Sequence, residues 1–434
     1  MLGNRWLLLI LVAYLALTSL YNLTTPILET PDAVWHYAYV RQLAFKRELP
    51  VVDAEGVAPY RHEGLQPPLY YAIGALWIGW MNPDEASNLP ARNPYAQIGL
   101  PLAGSNDNRN AFLDAPGLVN PLSGGSVAIH ILRFYSTLLG AGTVLLTYLS
   151  AREILLTWDS KVGPGNGAAL LATAFVAFLP QFLFVSASVS NDNLAILLSH
   201  AAVWQTLVTM RAGLNAGRAA VLGVLVGLAL VTKLNTITLI GLVGLGFAYV
   251  LFKTRQIKQV LIGGAIFAPL VLVISGWWYW RNFQLYGDPT TFARLAALVG
   301  ERPAQPGLAR WISAEFEGLR LSSWGIFGWF NILASPAFYS FFDILAMIGI
   351  IGLGVLIWRN RGLDLRFFLL PCWIVVVIFS LWRYSSEIVS SQGRLLFPAL
   401  SAWAIMWSWG ISALTPTRMR GLMQLAVPGI IVAV

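Results

Sequence analysis

The chain alternates between long apolar stretches and short polar turns. A helix that crosses a bilayer needs about 20 apolar residues. On that measure the pattern predicts spans near 6–22, 127–150, 167–187, 193–210, 219–232, 236–252, 259–280, 338–358, 367–383, 394–412 and 421–434. The 219–232 segment is short and lies close to its neighbour. The last span runs into the end of the chain as GIIVAV with no basic stop, so the C-terminus reads as cut short. A strand barrel would show roughly ten-residue segments of alternating polarity, and none is visible.

Two polar stretches are too long to be turns, about 23–126 and 281–337. The first has its own order. Residues 32–47 suit a helix lying along the membrane surface, with Val34, Tyr37, Val40, Leu43 and Ala44 on one side. The apolar run 66–81 is too short to span and predicts a second surface or re-entrant helix, with Pro67 and Pro68 in its first turn. Residues 82–126 are rich in Asn, Pro, Gly, Ala and Ser and read as an insertion. No internal repeat of the kind found in transporters is present.

Charge gives the chain a direction. Arg5, Arg152, Lys161, Arg211, Arg218, Lys253, Arg255, Lys258, Arg359, Arg361, Arg366, Arg418 and Arg420 all fall in one set of short loops. Positive loops stay cytoplasmic, so the N-terminus is expected inside and both long loops outside. The short outer loops hold only Lys233, Arg383 and Arg394. The net charge of +8 therefore reports topology rather than nucleic-acid binding.

Composition agrees. Of 434 residues 57% are hydrophobic and 11% charged, and the mean hydropathy is +0.66; soluble domains carry about 25% charged residues. The expected fold is an all-α polytopic membrane protein of about 11 transmembrane helices, a single transmembrane domain over 1–434. The segment after the first span lacks a small-residue cleavage pattern and reads as an uncleaved anchor. Asn22-Leu23-Thr24 fits a glycosylation acceptor, a triplet common by chance. The single cysteine, Cys372, has no partner for an internal disulfide.

The acidic residues are skewed the opposite way. The first long loop holds Glu29, Asp32, Glu48, Asp53, Glu55, Glu63, Asp84, Glu85, Asp107 and Asp114, half of the chain's 20 Asp and Glu. Glu29, Asp32 and His36 lie just past the first span, at the depth of a lipid phosphate. Transfer from a phosphate-linked donor needs a base for the acceptor hydroxyl and cations for the departing phosphate. Asp32 suits the first role, with His36 four residues on along the same helical face. Asp32 also follows a proline at a helix start, where carboxylates cap orphan N–H groups. Spacing alone does not choose between base and cap.

Asn191 and Asp192 sit at a tight polar turn between two spans, which Asn-Asp-Asn makes readily. Lys233, Arg281 and Arg394 break the positive-inside trend. Each can snorkel to the interface, and together they can bind a lipid phosphate. Arg133 is a weaker candidate of the same type. There is no Walker-type loop, no GxGxxG after a strand and no HExxH. Four histidines (His36, His62, His130, His200) do not make a dense His site. No cofactor is required on this reading, although a hard divalent ion on Asp and Glu oxygens has room.

In order along the chain, these motifs resemble the GT-C class of polyprenyl-phosphate-sugar-dependent membrane glycosyltransferases, which includes protein O-mannosyltransferases and aminoarabinose transferases. The matching stretches are Pro31-Asp32…His36, Gln66-Pro67-Pro68-Leu69-Tyr70-Tyr71, Thr232-Lys233, Trp280-Arg281-Asn282, Tyr286-Gly287-Asp288-Pro289 and Gly393-Arg394…Pro398. Ala33 stands where the class has a second acid, and Leu395 where it has Tyr. Glu29 lies one turn earlier and can stand in for the missing acid. The resemblance implies a sugar-transfer enzyme at the outer face of a bacterial-type inner membrane. Its partners are a polyprenyl-phosphate sugar donor, a glycan, lipid or protein acceptor, and membrane lipids, with no nucleic acid. Asp32 and Glu29 would be catalytic. His36, Glu63, Gln66, Asn191, Asp192, Lys233, Arg281 and Arg394 would contact substrate. A transporter or flippase of lipid-linked glycans is the alternative, with a noncatalytic assembly subunit behind it.

Overall fold

A computed structural model describes residues 5–99, 109–113, 124–156, 166–302, 307–359, 364–390, 392–416 and 429. It is a bundle of membrane helices: α1 (Arg5–Thr24), α5 (Gly124–Leu155), α6 (Asn166–Phe178), α7 (Pro180–Ser186), α8 (Asp192–Ala212), α9 (Ala216–Leu230), α10 (Thr238–Thr254), α11 (Ile257–Tyr286), α14 (Pro336–Arg359), α15 (Leu369–Ser385) and α16 (Leu400–Leu414). Three short 3-10 turns, 234–237, 365–368 and 393–399, lead into α10, α15 and α16. Eight of these units are long and apolar enough to cross a membrane, or nine if α6 and α7 form one bent span. The chain is thus a multi-pass helical membrane protein.

The expected count of eleven is not reached among the described residues, for two reasons. Helix α9 has 15 residues. At 1.5 Å per residue that is about 22 Å, short of the roughly 30 Å hydrocarbon core. The predicted span 421–434 lies outside the described residues. The predicted span 167–187 is bent by 60° at Leu179. Pro180 opens α7, and its ring keeps the preceding residue extended.

Helix pairs approach closely where glycines face each other. At the α14–α16 crossing, a Cβ on Gly352 would meet the backbone of Gly410, and one on Gly410 would meet that of Gly349. Such contacts hold membrane helices together without a hydrophobic gradient between them. Many buried hydroxyls are satisfied within their own helices. Thr147, Thr173, Ser199 and Thr206 each donate to the carbonyl four residues back, as a water-free interior demands.

The first long stretch folds onto one end of the bundle. It contains α2 (Ala33–Arg41), a π turn at 42–46, a 3-10 turn at 61–65, α3 (Leu69–Ile78) and α4 (Pro83–Ser87). Residues 32–47 were expected to lie on a surface with one buried side. Tyr37 and Val40 of that side are buried, but Val34, Leu43 and Ala44 are only half-buried, and Ala33, His36 and Tyr39 are buried as well, because α2 packs against α3 and the 61–65 turn. Helix α3 has ten residues and does not cross. The second long stretch carries α12 (Phe292–Val299), α13 (Leu308–Trp324) and a two-residue hairpin, β1 (Ile326–Phe327) and β2 (Ile332–Leu333). It is fastened to the end of α15 by the Glu301–Ile388 bridge and the Trp311 indole, which donates to Ser385 at 2.7 Å.

Candidate active site

One cluster of charges forms where the first stretch meets the ends of α1, α8, α9 and α16. Its carboxylates are Asp32, Glu63 and Asp192. Its cations are Lys233 and Arg394.

The segment Pro67-Pro68-Leu69-Tyr70-Tyr71 joins these parts. Two prolines start α3 without needing their missing N–H groups. The Leu69 amide then donates to Val231 O at 2.9 Å, fixing the loop that carries Lys233. Tyr70 OH accepts from the Ser190 amide at 3.1 Å and contacts Ser136 Oγ at 2.8 Å. That holds the turn carrying Asp192. Tyr71 OH donates to Glu63 Oε2 at 3.1 Å and sits 2.8 Å from His36 Nδ1. Three consecutive residues thus tie three remote segments together.

Asp32 occupies the N-cap position of α2, yet its side chain makes no capping bond. Its backbone is left-handed, with φ +64°, a conformation Asp tolerates at a cost. The carboxylate turns away from the helix and accepts from Arg394 Nη2 at 2.8 Å. Arg394 Nη1 reaches Asp192 Oδ2 at 3.5 Å, and its Nε donates to Gln392 at 2.8 Å. Lys233 Nζ donates to Asp192 Oδ1 at 2.5 Å. Gly393 has to be glycine, since a Cβ there would press on the Ser323 backbone amide at 2.5 Å. That close approach sets where Arg394 points.

Asp32, His36 and Glu63 each present a ligand atom within 4.8 Å of the other two. Two carboxylate oxygens and an imidazole nitrogen suit a divalent cation. His36 also lies 3.3 Å from Glu63, and His62 Nε2 contacts the other Glu63 oxygen at 3.2 Å. Burial opposes the Glu63 charge, but His36, His62 and Lys233 outweigh it, so its carboxyl is held well below the usual carboxylate range. Burial depresses His36 against the pull of Glu63 and Asp32. Burial also acts to depress His62, yet its hydrogen bond to Glu63 and the nearby carboxylates lift it above an ordinary imidazole.

Other sequence candidates stand elsewhere. Glu29 is buried, and its two oxygens accept from the Ala111 and Phe112 amides at 3.0 and 2.9 Å. Sequence spacing could not show this, because the partners are more than 80 residues away. Glu29→Gln is expected to lower stability by about 1–3 kcal/mol, since charge-assisted bonds are weakened in a buried place. Thermal unfolding measures it; an unchanged melting temperature would show that this clamp carries no stability.

Arg281 stacks over Trp278 and donates to Pro50 O at 2.7 Å, a contact that ties it to the first long stretch rather than to Lys233 or Arg394. The Tyr286–Pro289 motif is a clamp of the same kind. Gly287 ends α11 with φ +71°, and Tyr286 OH accepts from the Val52 amide at 3.1 Å. Asn191 donates to Thr232 O at 3.4 Å while its own Oδ1 is buried without a partner among the described residues. Gln66 enters through its backbone, whose carbonyl accepts from Tyr39 OH at 3.3 Å. Arg133 donates to the carbonyls of Asn22, Thr25 and Pro26, closing the end of α1. His62, Tyr70, Tyr71 and Gln392 were not foreseen. The two tyrosines stood in the Gln66–Tyr71 stretch that carries the resemblance but were given no role, and adjacent positions at a helix start were the available signal.

Residues 118–292 match the family model for dolichyl-phosphate-mannose-protein mannosyltransferases. A search of curated proteins gives no match. Among solved structures, the chain resembles ArnT from Cupriavidus metallidurans bound to undecaprenyl phosphate, with TM-score 0.57 and 13% identity over 99% of this chain. It also resembles the same protein in the apo state, with TM-score 0.55 and 15% identity over 100% of this chain. The chain spans 64% of the length of each. The resemblance to the GT-C class is borne out by the family match and by the shared fold.

Proposed function

We propose that the chain is an integral-membrane glycosyltransferase that moves a sugar from a polyprenyl-phosphate donor to a hydroxyl of a glycan, lipid or protein. The observation that carries this reading is the Asp32 carboxylate. It is a quarter exposed, makes no cap bond, and pairs with Arg394, which Asp192 links to Lys233, at one end of a membrane bundle. Asp32 takes the proton of the acceptor hydroxyl. The acceptor oxygen attacks the anomeric carbon as the bond to the phosphate breaks, and one displacement inverts that carbon. Lys233 and Arg394 hold the phosphate as its charge grows. Glu63 and His36 border Asp32 and meet the acceptor or sugar. Asp32, His36 and Glu63 would hold a divalent ion if one is used, and it would supply further charge stabilisation for the phosphate.

The basic loops support an orientation in which this end of the bundle lies outside an inner membrane and the N-terminus inside. In a Cys372→Ser background, a cysteine placed at Val57, which is 75% exposed, should react with an impermeant thiol reagent added to intact cells. Reaction only after the cells are broken would invert the orientation.

The direct test of function is a panel of radiolabelled polyprenyl-phosphate sugars given to the purified protein with glycan, lipid and peptide acceptors. Label should move from one donor to an acceptor. If every donor binds nowhere and stays intact with every acceptor, the enzymatic reading is wrong.

A further inference from the structure

The two cations proposed to hold the donor phosphate are already engaged by carboxylates of the chain itself. Arg394 has its fork filled: Nη2 on Asp32, Nη1 on Asp192 and Nε on Gln392. A phosphate that takes a bidentate place on Arg394 has to displace one of the two carboxylates.

They are not equal competitors. Asp192 is buried, its side chain 6% exposed, and is also held by Lys233 and by Ser190 Oγ at 3.3 Å. Taking its partners away would strand a buried charge. Asp32 is 24% exposed. Among the described residues its carboxylate hydrogen-bonds Arg394 alone. Its backbone carbonyl accepts from the Trp35 and His36 amides, but its side chain caps no N–H of the helix it precedes. The pair is open to water only at its Asp32 end, Arg394 being 9% exposed; an arginine–phosphate fork keeps that buried guanidinium paired and is among the stronger polar contacts. Asp32 is the one that leaves.

We propose that the Asp32–Arg394 pair is a latch, opened when the donor's phosphate replaces Asp32 on Arg394. The inference rests on the glycosyl-transfer reading above. It adds an order of events. Before donor binds, the base is neutralised by Arg394. Once the phosphate occupies Arg394, Asp32 is free to accept from the acceptor hydroxyl. Donor therefore binds productively before acceptor, and the base is not armed in the donor's absence. Arg394 acts as a positioning residue for Asp32 as well as a phosphate contact.

The test uses carbodiimide and an amine on the purified wild-type protein, with and without a short-chain polyprenyl phosphate. Mass spectrometry reads modification at Asp32, with buried Glu29 as the internal reference. The phosphate should raise Asp32 modification roughly three- to tenfold, the range for release from a partly exposed ion pair, and leave Glu29 unchanged. Arg394→Gln should show the high level without any phosphate. Asp32→Asn, which deletes the competing carboxylate, should bind the same probe tighter by a similar factor. Equal Asp32 modification with and without probe, or unchanged affinity in Asp32→Asn, overturns the latch. If Asp32→Asn has lost turnover while these readouts stay flat, the latch is wrong and the enzyme reading stands. If Asp32→Asn turns over normally, the enzyme reading itself has failed.

Discussion

Asn in place of Asp32 is expected to cut turnover by about 100- to 10,000-fold, the usual cost of losing a general base, while the protein stays folded and still binds donor. The change preserves size and removes the charge. Asn caps a helix as well as Asp does, so a capping role for Asp32 predicts normal activity. The structure sharpens the contrast, because the Asp32 side chain makes no cap bond and faces Arg394 instead. Single-turnover rates at saturating donor, with melting temperature as a folding control, decide between the two roles. Near-normal turnover would leave the site without its base and move the transporter or assembly-subunit reading ahead.

Lys233→Gln and Arg394→Gln are each expected to weaken donor binding by about one to two decades. A charge-assisted hydrogen bond contributes roughly 1.5–3 kcal/mol, and each decade corresponds to about 1.4 kcal/mol. Both cations also neutralise buried Asp192. Removing one leaves that carboxylate less compensated, so some loss of stability should accompany the loss of affinity. Binding therefore has to be measured at a temperature where the variant is folded. Arg359→Gln is the control, since Arg359 lies at the C-terminal end of α14 and is exposed. Equal loss in the control would move the phosphate site elsewhere. Arg281→Gln separates the two cations from the third candidate. Arg281 holds Pro50, and a loss there as large as at Lys233 would bring it back into the phosphate site.

The helices were legible because each is a local property of the chain. An apolar run of bilayer length has to satisfy its own backbone hydrogen bonds, and a helix does so within the segment. The same locality exposed the polar ends, the acidic skew of the first long stretch and the basic residues that break the trend at Lys233 and Arg394. It failed first at α2, where Ala33, His36 and Tyr39 are buried beside the expected Tyr37 and Val40 against α3 and the 61–65 turn, and at the run 167–187, which is bent by 60° at Leu179.

What the sequence alone determined, then, was a multi-pass helical bundle with carboxylates and cations gathered near its polar ends, because hydropathy and charge act residue by residue against the bilayer. Which charge meets which was decided only by the tertiary structure. Asp32 finds Arg394 across 362 residues, and Lys233 finds Asp192 across 41. Glu29 is drawn into a backbone clamp, and Arg281 into another. Tyr70 and Tyr71 set these pairings by fastening the loops that carry the charges. The reason is range: an ion pair forms only within a few ångströms, so loop ends choose partners when packing brings them together, and spacing along the chain carries no record of it.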